Sequence, residues 1–249
     1  MKAGGNIRIY FSGALQEGAA CRLPGAQAHH VTRVLRLAAG DALTLFNGDG
    51  LEYGGVVERA SKDAVTVKIR DVQVSAGEPR LELVLGQALS SGERMDYTVQ
   101  KAVELGVASI HPLAAGRSVV RLAAERAARR VAHWQSIAVA ACEQCGRNRV
   151  PAVGPVVALD DWLADRAARR TASLRVLLSP RADARLRDLP PPDGPVELLA
   201  GPEGGLTEEE EAQARRAGFA PVKLGPRVLR TETAAVAALA AMQTLWGDF

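Results

Sequence analysis

Residues 198–211, LLAGPEGGLTEEEE, contain the first pattern in this chain that could hold a ligand. An apolar run stops at the glycine loop Gly201-Pro202-Glu203-Gly204-Gly205, and four glutamates follow soon after it. Glycines after a strand allow a ligand to approach the backbone closely. The spacing matches neither the phosphate loop, since no Gly-Lys-Ser/Thr follows, nor the dinucleotide fingerprint.

The acids around this loop indicate which ligand it could accept. Thr207 and Glu210 have the spacing of a capping box, and acids in a first helical turn suit the helix dipole, so the glutamates have a structural explanation. Glu203 and these acids would also repel phosphate. The loop therefore favours a phosphate-free, cationic ligand such as S-adenosylmethionine, and the alternative is a tight structural turn.

A second loop lies in residues 223–246, KLGPRVLRTETAAVAALAAMQTLW. A strand is predicted to end at Leu224-Gly225, and Thr231 or Thr233 is predicted to cap a long helix. Two glycine-bearing turns at strand ends are where α/β sheets bind ligands. The helix is apolar nearly all round, which predicts burial in the core or in a subunit interface.

The cysteines and histidines show no comparable pattern. Cys142 and Cys145 form a CxxC within a predicted helix, and there is no second pair to complete a zinc site. Packing is therefore favoured over metal or redox chemistry, although a redox or metal protein remains an alternative. The four histidines lie in no triad context.

The elements that must position these loops fall into two parts. Residues 7–74 read as β-rich: IRIYF is a strand, and alternating segments flank a hairpin turn at residues 47–50. AQAHHVTRVLRL has helical spacing and is predicted to end at Gly40. After a boundary near residues 75–79, apolar strands alternate with helices, including a long one over 121–146, which predicts a parallel α/β sheet.

Composition limits the class of protein. The 249 residues carry a formal charge of +3, with 47% hydrophobic and 24% charged residues, as is ordinary for a globular protein. The start MKAGGNIRIYF has no apolar signal region, and no run is long enough to span a membrane. Three cysteines suggest a reducing cytoplasm rather than a disulfide framework.

Taken together, GPEGGLT and LGPRVLRTETA resemble the SPOUT class of S-adenosylmethionine-dependent RNA methyltransferases. The chain more closely resembles the RsmE family, which methylates N3 of a specific uridine, a site of the U1498 type, in 16S ribosomal RNA of the small subunit. The other matching stretches are HHVTRVLRLAAGD, RMDYTVQKAVELGV, RSVV at 117–120 and EQCGRNRVP at 143–151.

The resemblance implies a PUA-like RNA-binding β-barrel domain over residues 1–75 and a SPOUT α/β domain with a trefoil knot over residues 76–249. It also implies a homodimer with active sites at the interface and S-adenosylmethionine as cofactor. No metal and no membrane association are expected. The residues expected to bind the cofactor are Leu178, Ser179, Leu199, Gly201, Pro202, Glu203, Gly204, Leu224, Gly225, Val228, Leu229, Thr231 and Thr233.

The chemistry at uridine N3 suggests three catalytic candidates. The N3 proton must leave, and a cation near the two carbonyls would stabilise the developing anion. Arg230 is the first candidate for that cation, with an ion pair to Glu232 as the alternative. Glu143 or Glu232 could act as the base if burial raises its pKa.

Arginine and asparagine suit contacts to phosphates and bases. The predicted RNA-binding residues are Arg8, Arg33, Arg36, Arg117, Arg147, Asn148 and Arg149, the last three as a polar tip after the long helix. Ser90 and Ser91 stand where the family usually has a basic residue. The remaining alternatives are a SPOUT enzyme with another RNA target and a non-catalytic RNA-binding protein of ribosome assembly.

Overall fold

The structure is a computed structural model that describes residues 7–61, 64–75, 77–118, 124–169 and 174–249. The chain divides into two compact units. The first contains Met1–Glu78 and Cys142–Val150, and the second contains Pro79–Ala141 and Pro151–Phe249. The predicted boundary between residues 75 and 76 stays a prediction; Ala76, the first residues MKAGGN, and Val119 and Val120 of the RSVV stretch lie outside the described residues.

The first unit is built on a five-stranded sheet with the order β1-β3-β4-β5-β2. β3 and β4 form the predicted hairpin, with Gly48 and Gly50 at φ 100° and 92° in its turn. Alternate side chains of β2, β4 and β5 are buried, and together with apolar side chains of β1 and β3 they form the core of the unit. The strands are β1 (Arg8–Tyr10), β2 (Ala20–Leu23), β3 (Ala42–Phe46), β4 (Leu51–Ala60) and β5 (Val65–Val74).

The helix of the first unit ends earlier than its spacing predicts. α1 (Gly25–His29) continues as a π-helix over His30–Val34, and the predicted extension to Gly40 is wrong. Arg36 has φ 55°, and Leu37 N donates to Val31 O at 3.0 Å. A helix end of this kind normally has glycine in the left-handed position, so an arginine at that position did not mark the helix end in the sequence.

The second unit contains a sheet with the order β12-β10-β11-β6-β7-β8, in which every pair is parallel, and β9 also pairs with β7. The predicted parallel α/β architecture is confirmed. The strands are β6 (Leu83–Ala88), β7 (Val107–Ala114), β8 (Ala152–Val153), β9 (Val157–Ala158), β10 (Leu174–Leu178), β11 (Val196–Ala200) and β12 (Ala220–Val222).

The remaining helices flank or follow these strands. α2 buries one apolar stripe, including Met95 and Val99, and is followed by Gly106 at φ 84°. α6 buries one face, and its remaining residues are partly or fully exposed; the buried residues are Thr231, Ala235, Ala238, Leu239, Met242 and Gln243. The helices are α2 (Gly92–Glu104), α3 (Ala124–Cys145), α4 (Leu159–Ala168), α5 (Glu208–Arg216) and α6 (Thr231–Trp246), with a 3-10 turn at Leu186–Asp188. None of these described helices is both long and apolar enough to cross a bilayer.

Candidate functional site

Three neighbouring parallel strands, β10, β11 and β12, end at the same edge of the second sheet. The loops that follow them enclose a cavity of about 640 Å³. Clefts of about 300–1,000 Å³ at the carboxyl ends of parallel strands are typical small-molecule sites. The lining residues are Arg94, Arg117, Leu178–Arg181, Ala200–Leu206, Glu211, Val222–Gly225, Arg227–Thr231 and Ala234.

The glycine loop after β11 depends on its small residues. Gly205 has φ 67°, a conformation that side chains other than glycine rarely adopt. A Cβ atom added to Gly204 would lie 3.2 Å from Cβ of Arg117, and one added to Gly201 would lie 3.3 Å from Cγ of Leu206. The loop is therefore packed closely on one side while its other side borders the cavity.

The helix after this loop begins with the predicted capping box. Thr207 Oγ1 accepts from Glu210 N at 3.1 Å, and Glu210 Oε2 accepts from Thr207 N at 2.7 Å. The other oxygen, Oε1, accepts from Gly116 N at 2.7 Å. Glu210 therefore fixes both α5 and the turn that carries Arg117, so this acid has a structural role.

The start of α6 is held differently from the prediction. Arg230 occupies the N-cap position and makes no side-chain cap, so the expected cap by Thr231 or Thr233 is wrong. Thr231 Oγ1 instead donates to Gly201 O at 2.6 Å and accepts from Gln87 Nε2 at 3.1 Å. Thr233 lies inside the helix and is exposed.

Glu203 is the acid of the glycine loop, and it faces α2. Its Oε1 accepts from Ser91 N at 2.9 Å and from Arg94 Nη1 at 3.1 Å. Burial raises the pKa of the Glu203 carboxyl, but hydrogen bonds from Ser91 and Arg94 outweigh it and hold the pKa below its usual value. Glu203 is therefore ionised at neutral pH.

A second acid, Glu211, borders the same cavity from α5. Ser179 Oγ donates to Glu211, at 3.2 Å to Oε1 and 3.3 Å to Oε2, and Arg181 Nη2 donates to Oε1 at 3.0 Å. Ser179 Oγ in turn accepts from Arg181 N at 3.3 Å. This cluster fixes the turn after β10 to α5.

All but two of the predicted cofactor-binding residues line the cavity. Leu199 does not, because its side chain is fully buried in the hydrophobic core of the second unit. Thr233 does not, because it faces solvent on α6. The others are Leu178, Ser179, Gly201, Pro202, Glu203, Gly204, Leu224, Gly225, Val228, Leu229 and Thr231.

The three catalytic candidates lie in different surroundings. Arg230 lines the cavity and is exposed. Glu232 does not line it; its Oε1 lies 3.9 Å from Arg94 Nε, so its ion pair is with Arg94 rather than Arg230. Glu143 belongs to the first unit and accepts from Tyr10 N at 2.9 Å. Burial raises the pKa of Glu143, against the opposing effects of the Tyr10 N–H, His30 and Arg8.

The predicted polar tip after α3 is wrong for two of its three residues. Arg147 and Asn148 are buried, whereas Arg149 is exposed. Glu78 accounts for this: it pairs with Arg147 at 3.1 Å and accepts from the backbone N–H groups of Asn148 and Arg149 at 2.7 and 2.6 Å.

The other predicted RNA-binding residues are likewise either buried or exposed. The side chain of Arg8 is buried, forms an ion pair with Glu52 at 2.5 Å, and donates to Arg147 O at 3.2 Å and to Asn148. Arg33 and Arg36 are exposed in the first unit. Arg117 is exposed and lines the cavity of the second unit. The exposed arginines remain available to a partner, and the buried ones already have protein partners.

Some residues that line the cavity were not among the site residues predicted from the sequence. The charged ones are Arg94, Arg181, Glu211, Lys223 and Arg227. Together with Arg117 and Arg230, the described residues of the lining carry six cations and two carboxylates, those of Glu203 and Glu211. This excess of cations could have been noticed, since the segments after the strands are rich in arginine. A basic rim is the electrostatic pattern of a site that receives a polyanion.

The CxxC pair sits in the last turns of α3. Cys142 is buried, and burial raises the pKa of its thiol to about 12. A thiolate at this position is therefore disfavoured. Within the part of the chain that the structure describes, no group of three or more His, Cys, Asp or Glu could hold a metal ion.

Two family models match the chain. The model described as an RNA methyltransferase domain matches residues 77–243, and the model described as an RNA methyltransferase PUA domain matches residues 23–70. Ribosomal RNA small subunit methyltransferase E of Buchnera aphidicola subsp. Schizaphis graminum is 33% identical over 97% of each chain. The Bacillus subtilis protein of the same name is 31% identical over 92% of this chain and 91% of its own.

Solved structures agree with these relatives. A ribosomal RNA small subunit methyltransferase E from Neisseria gonorrhoeae, bound to S-adenosyl methionine, superimposes with a TM-score of 0.92 at 40% identity, over 98% of this chain and 100% of its own. A putative methyltransferase from Legionella pneumophila with bound SAM gives 0.93 at 42% identity over the same shares. The predicted fold class, a SPOUT α/β domain preceded by a PUA-like domain, is confirmed; the trefoil knot stays a prediction.

Proposed function

This chain belongs to the ribosomal RNA small subunit methyltransferase E family, and we propose that it methylates N3 of a specific uridine in 16S ribosomal RNA with S-adenosylmethionine as methyl donor. The observation that carries the proposal is the cavity of about 640 Å³ formed by the loops after β10, β11 and β12.

The residues of this cavity fit the proposed donor. Its volume lies in the range that encloses a ligand of this size. Gly201, Gly204 and Gly225 leave backbone accessible at its wall, and Leu178, Leu224 and Leu229 supply apolar surface. Glu203 places an ionised carboxylate at the same wall, which suits a ligand that carries positive charge.

The chain supplies binding and orientation around the reaction. When bound, the donor supplies a methyl group on a sulfonium; the S–CH3 bond breaks with its electron pair left on sulfur, an N3–CH3 bond forms, and N3 gives up its proton. Arg230 is exposed at the cavity, and its proposed role is to donate hydrogen bonds to a uracil carbonyl and to stabilise negative charge there. Glu232 or Glu143 is the proposed acceptor of the proton.

The basic lining is proposed to receive the RNA backbone. Arg117, Arg181 and Arg227 are exposed at the cavity, and guanidinium groups form forked contacts with phosphates. In the first unit, Arg33, Arg36 and Arg149 are the exposed candidates among the predicted RNA-binding residues.

We further propose the domain limits 1–75 and 76–249, a homodimer with the small ribosomal subunit as partner, and a cytoplasmic location.

The test is methyl transfer from labelled S-adenosylmethionine to small ribosomal subunits that lack the modification, followed by nucleoside analysis. The expected product is 3-methyluridine. Leu229→Arg, which inserts a long charged side chain into the cavity wall, should abolish transfer. Phe249→Arg adds the same side chain at an exposed terminus and should leave transfer intact.

The possible failures of this test have different meanings. Label in another nucleoside would keep the methyltransferase activity and overturn the uridine-N3 assignment. Cofactor binding without transfer to any small-subunit RNA would overturn the substrate. Absence of cofactor binding in the unmodified protein would favour a non-catalytic RNA-binding protein of ribosome assembly.

A further inference from the structure

Among the residues that the structure describes, hydrogen-bond donors reach only one of the two carboxylate oxygens of Glu203. Oε1 accepts from Ser91 N and from Arg94 Nη1. Oε2 is buried and has no hydrogen-bond partner among the described residues. A buried carboxylate oxygen without a donor is costly, so this atom is expected to meet a donor or a cation when the site is in use.

The charges around Glu203 leave an excess of negative charge on this side of the cavity. Arg94 is the cation nearest to Glu203, and its Nε also lies 3.9 Å from Glu232 Oε1. One guanidinium is therefore shared by two carboxylates. Oε2 of Glu232 is likewise buried without a partner among the described residues. The rest of the lining is mainly cationic, so a positively charged ligand group is favoured at this cluster and disfavoured elsewhere in the cavity.

Glu211, the other described acid at the cavity, has a hydrogen-bond donor on each of its carboxylate oxygens. Both oxygens of Glu211 accept from Ser179 Oγ, and Oε1 also accepts from Arg181. Glu211 thus has protein donors on both oxygens, and Glu203 has them on one. Of the two acids among the described lining residues, Glu203 is the one with a carboxylate oxygen that no protein donor satisfies.

We propose that Glu203 is the counter-ion of the sulfonium group and makes the cavity discriminate between methyl donor and product by charge. The inference rests on the proposed function, in which the donor carries a positive sulfonium and the product, S-adenosylhomocysteine, is a neutral thioether at the same atom. Transfer of the methyl group removes the positive charge on sulfur that the Glu203 carboxylate balances in this proposal. Product release is thereby favoured over donor release.

The experiment is calorimetric measurement of Kd for S-adenosylmethionine and S-adenosylhomocysteine with the full-length protein, at low ionic strength and neutral pH. Glu203→Gln should weaken donor binding roughly tenfold more than product binding, a differential of about 1.4 kcal/mol. Glu211→Gln is the matched control, since it removes the same charge from the same wall. The ratio of the two Kd values in Glu211→Gln should stay within about twofold of that of the unmodified protein, because Arg181 already pairs with the Glu211 carboxylate at 3.0 Å and Ser179 donates to both of its oxygens.

Arg94→Met provides a second test with the opposite sign. Removing the cation that partly neutralises Glu203 should raise the preference for the donor over the product. Sinefungin, which carries an amine in place of the methylsulfonium, should follow the donor in every variant because it is also cationic at that position.

Two results would overturn the proposal. The first is an unchanged ratio of the two Kd values in Glu203→Gln, and the second is a lowered preference for the donor in Arg94→Met. If the unmodified protein binds neither compound, the proposed function fails instead, so the two failures are distinguishable. If Glu203→Gln does not fold, the Kd values of Arg94→Met for the donor, the product and sinefungin decide whether the proposal holds.

Discussion

Gln87 Nε2 donates a hydrogen bond to Thr231 Oγ1 at 3.1 Å, although the two residues are 144 positions apart in the chain. Gln87 is fully buried on β6, and the Thr231 hydroxyl in turn donates a hydrogen bond to Gly201 O at 2.6 Å. These two bonds join the central strand to both glycine-bearing loops of the cavity. A buried amide in an apolar strand is costly unless it is bonded, and here its bond fixes the relative position of the two loops.

Thr231→Val tests this connection because it removes the hydroxyl and keeps the shape of the side chain. It removes the hydrogen bond to Gly201 O and one of the two that Gln87 Nε2 makes, the other being to Ala88 O at 3.0 Å, so we expect the free energy of unfolding to fall by about 1–3 kcal/mol. Cofactor affinity should fall as well. Thr231→Ser, which keeps the hydroxyl, should restore most of both quantities. Equal behaviour of the Val and Ser variants in denaturant unfolding and in cofactor titration would show that the hydroxyl has no such role.

Arg147 and Arg149 should separate structural arginines from exposed ones. Arg147 is buried against Glu78, with Nη2–Oε2 at 3.1 Å. Arg147→Met leaves that carboxylate without its cation, and we expect a loss of about 3 kcal/mol in the free energy of unfolding. Arg149→Met should change stability by less than about 0.5 kcal/mol, since surface substitutions have small effects. Similar losses in urea unfolding of the two variants would contradict the assignment.

His111 should make the stability of the protein depend on pH. Burial, together with Arg166 and Arg169 and against the effect of Asp165, lowers the pKa of His111 from 6.5 to about 4. Between these values the unfolded chain binds a proton that the folded protein does not. Stability is therefore fully present above pH 6.5 and is lost as the pH falls towards 4.

His111→Gln tests this effect, since glutamine does not titrate. Urea unfolding of both proteins should be compared at several pH values from 7.5 downward. The difference between their free energies of unfolding should change between pH 6.5 and 4 and stay constant above that range. A difference that is independent of pH would exclude His111 as the source.

Local patterns in the sequence were sufficient to predict most of the fold. The hairpin turn at residues 47–50 and five of the seven strands of the parallel sheet have strong periodic or turn signals, and the structure contains them. β8 and β9 were missed because each is only two residues long. β2 was missed because ACRL is only four residues long and Arg22 breaks its apolar character. The end of the first helix was misplaced because Arg36 adopts a conformation that usually marks glycine.

The site was predictable where loops follow strands and not where distant residues meet. The glycine loop and the turn after β12 were found from their position at strand ends. Arg94 was missed because its partner Glu203 is 109 residues away in the sequence. For the same reason Arg147 was expected at an exposed tip, since nothing near it in the sequence indicates Glu78, 69 residues earlier.

The identity of the proton acceptor can be tested with Glu232 and Glu143. Glu232 pairs with Arg94, which lines the cavity, and its Oε2 has no partner among the described residues. A general base must come within hydrogen-bonding reach of the proton it removes and contributes about 10²–10⁴-fold to the rate. We therefore expect Glu232→Gln to lower kcat at least about 100-fold.

Glu143→Gln is the matched control for that test. The pKa of Glu143 is raised by burial, which would suit a base, but its carboxylate accepts the Tyr10 N–H in the first unit. A glutamine oxygen can accept the same bond, so kcat should stay within about threefold, as for a change that removes no transition-state contact. Single-turnover rates should be measured with saturating cofactor, whose Kd is determined for each variant. A fall in kcat of at least about 100-fold in Glu143→Gln alone would reverse the assignment. If both variants keep kcat within about threefold of the unmodified protein, the proton leaves directly to water and catalysis depends on placing N3 next to the methyl group.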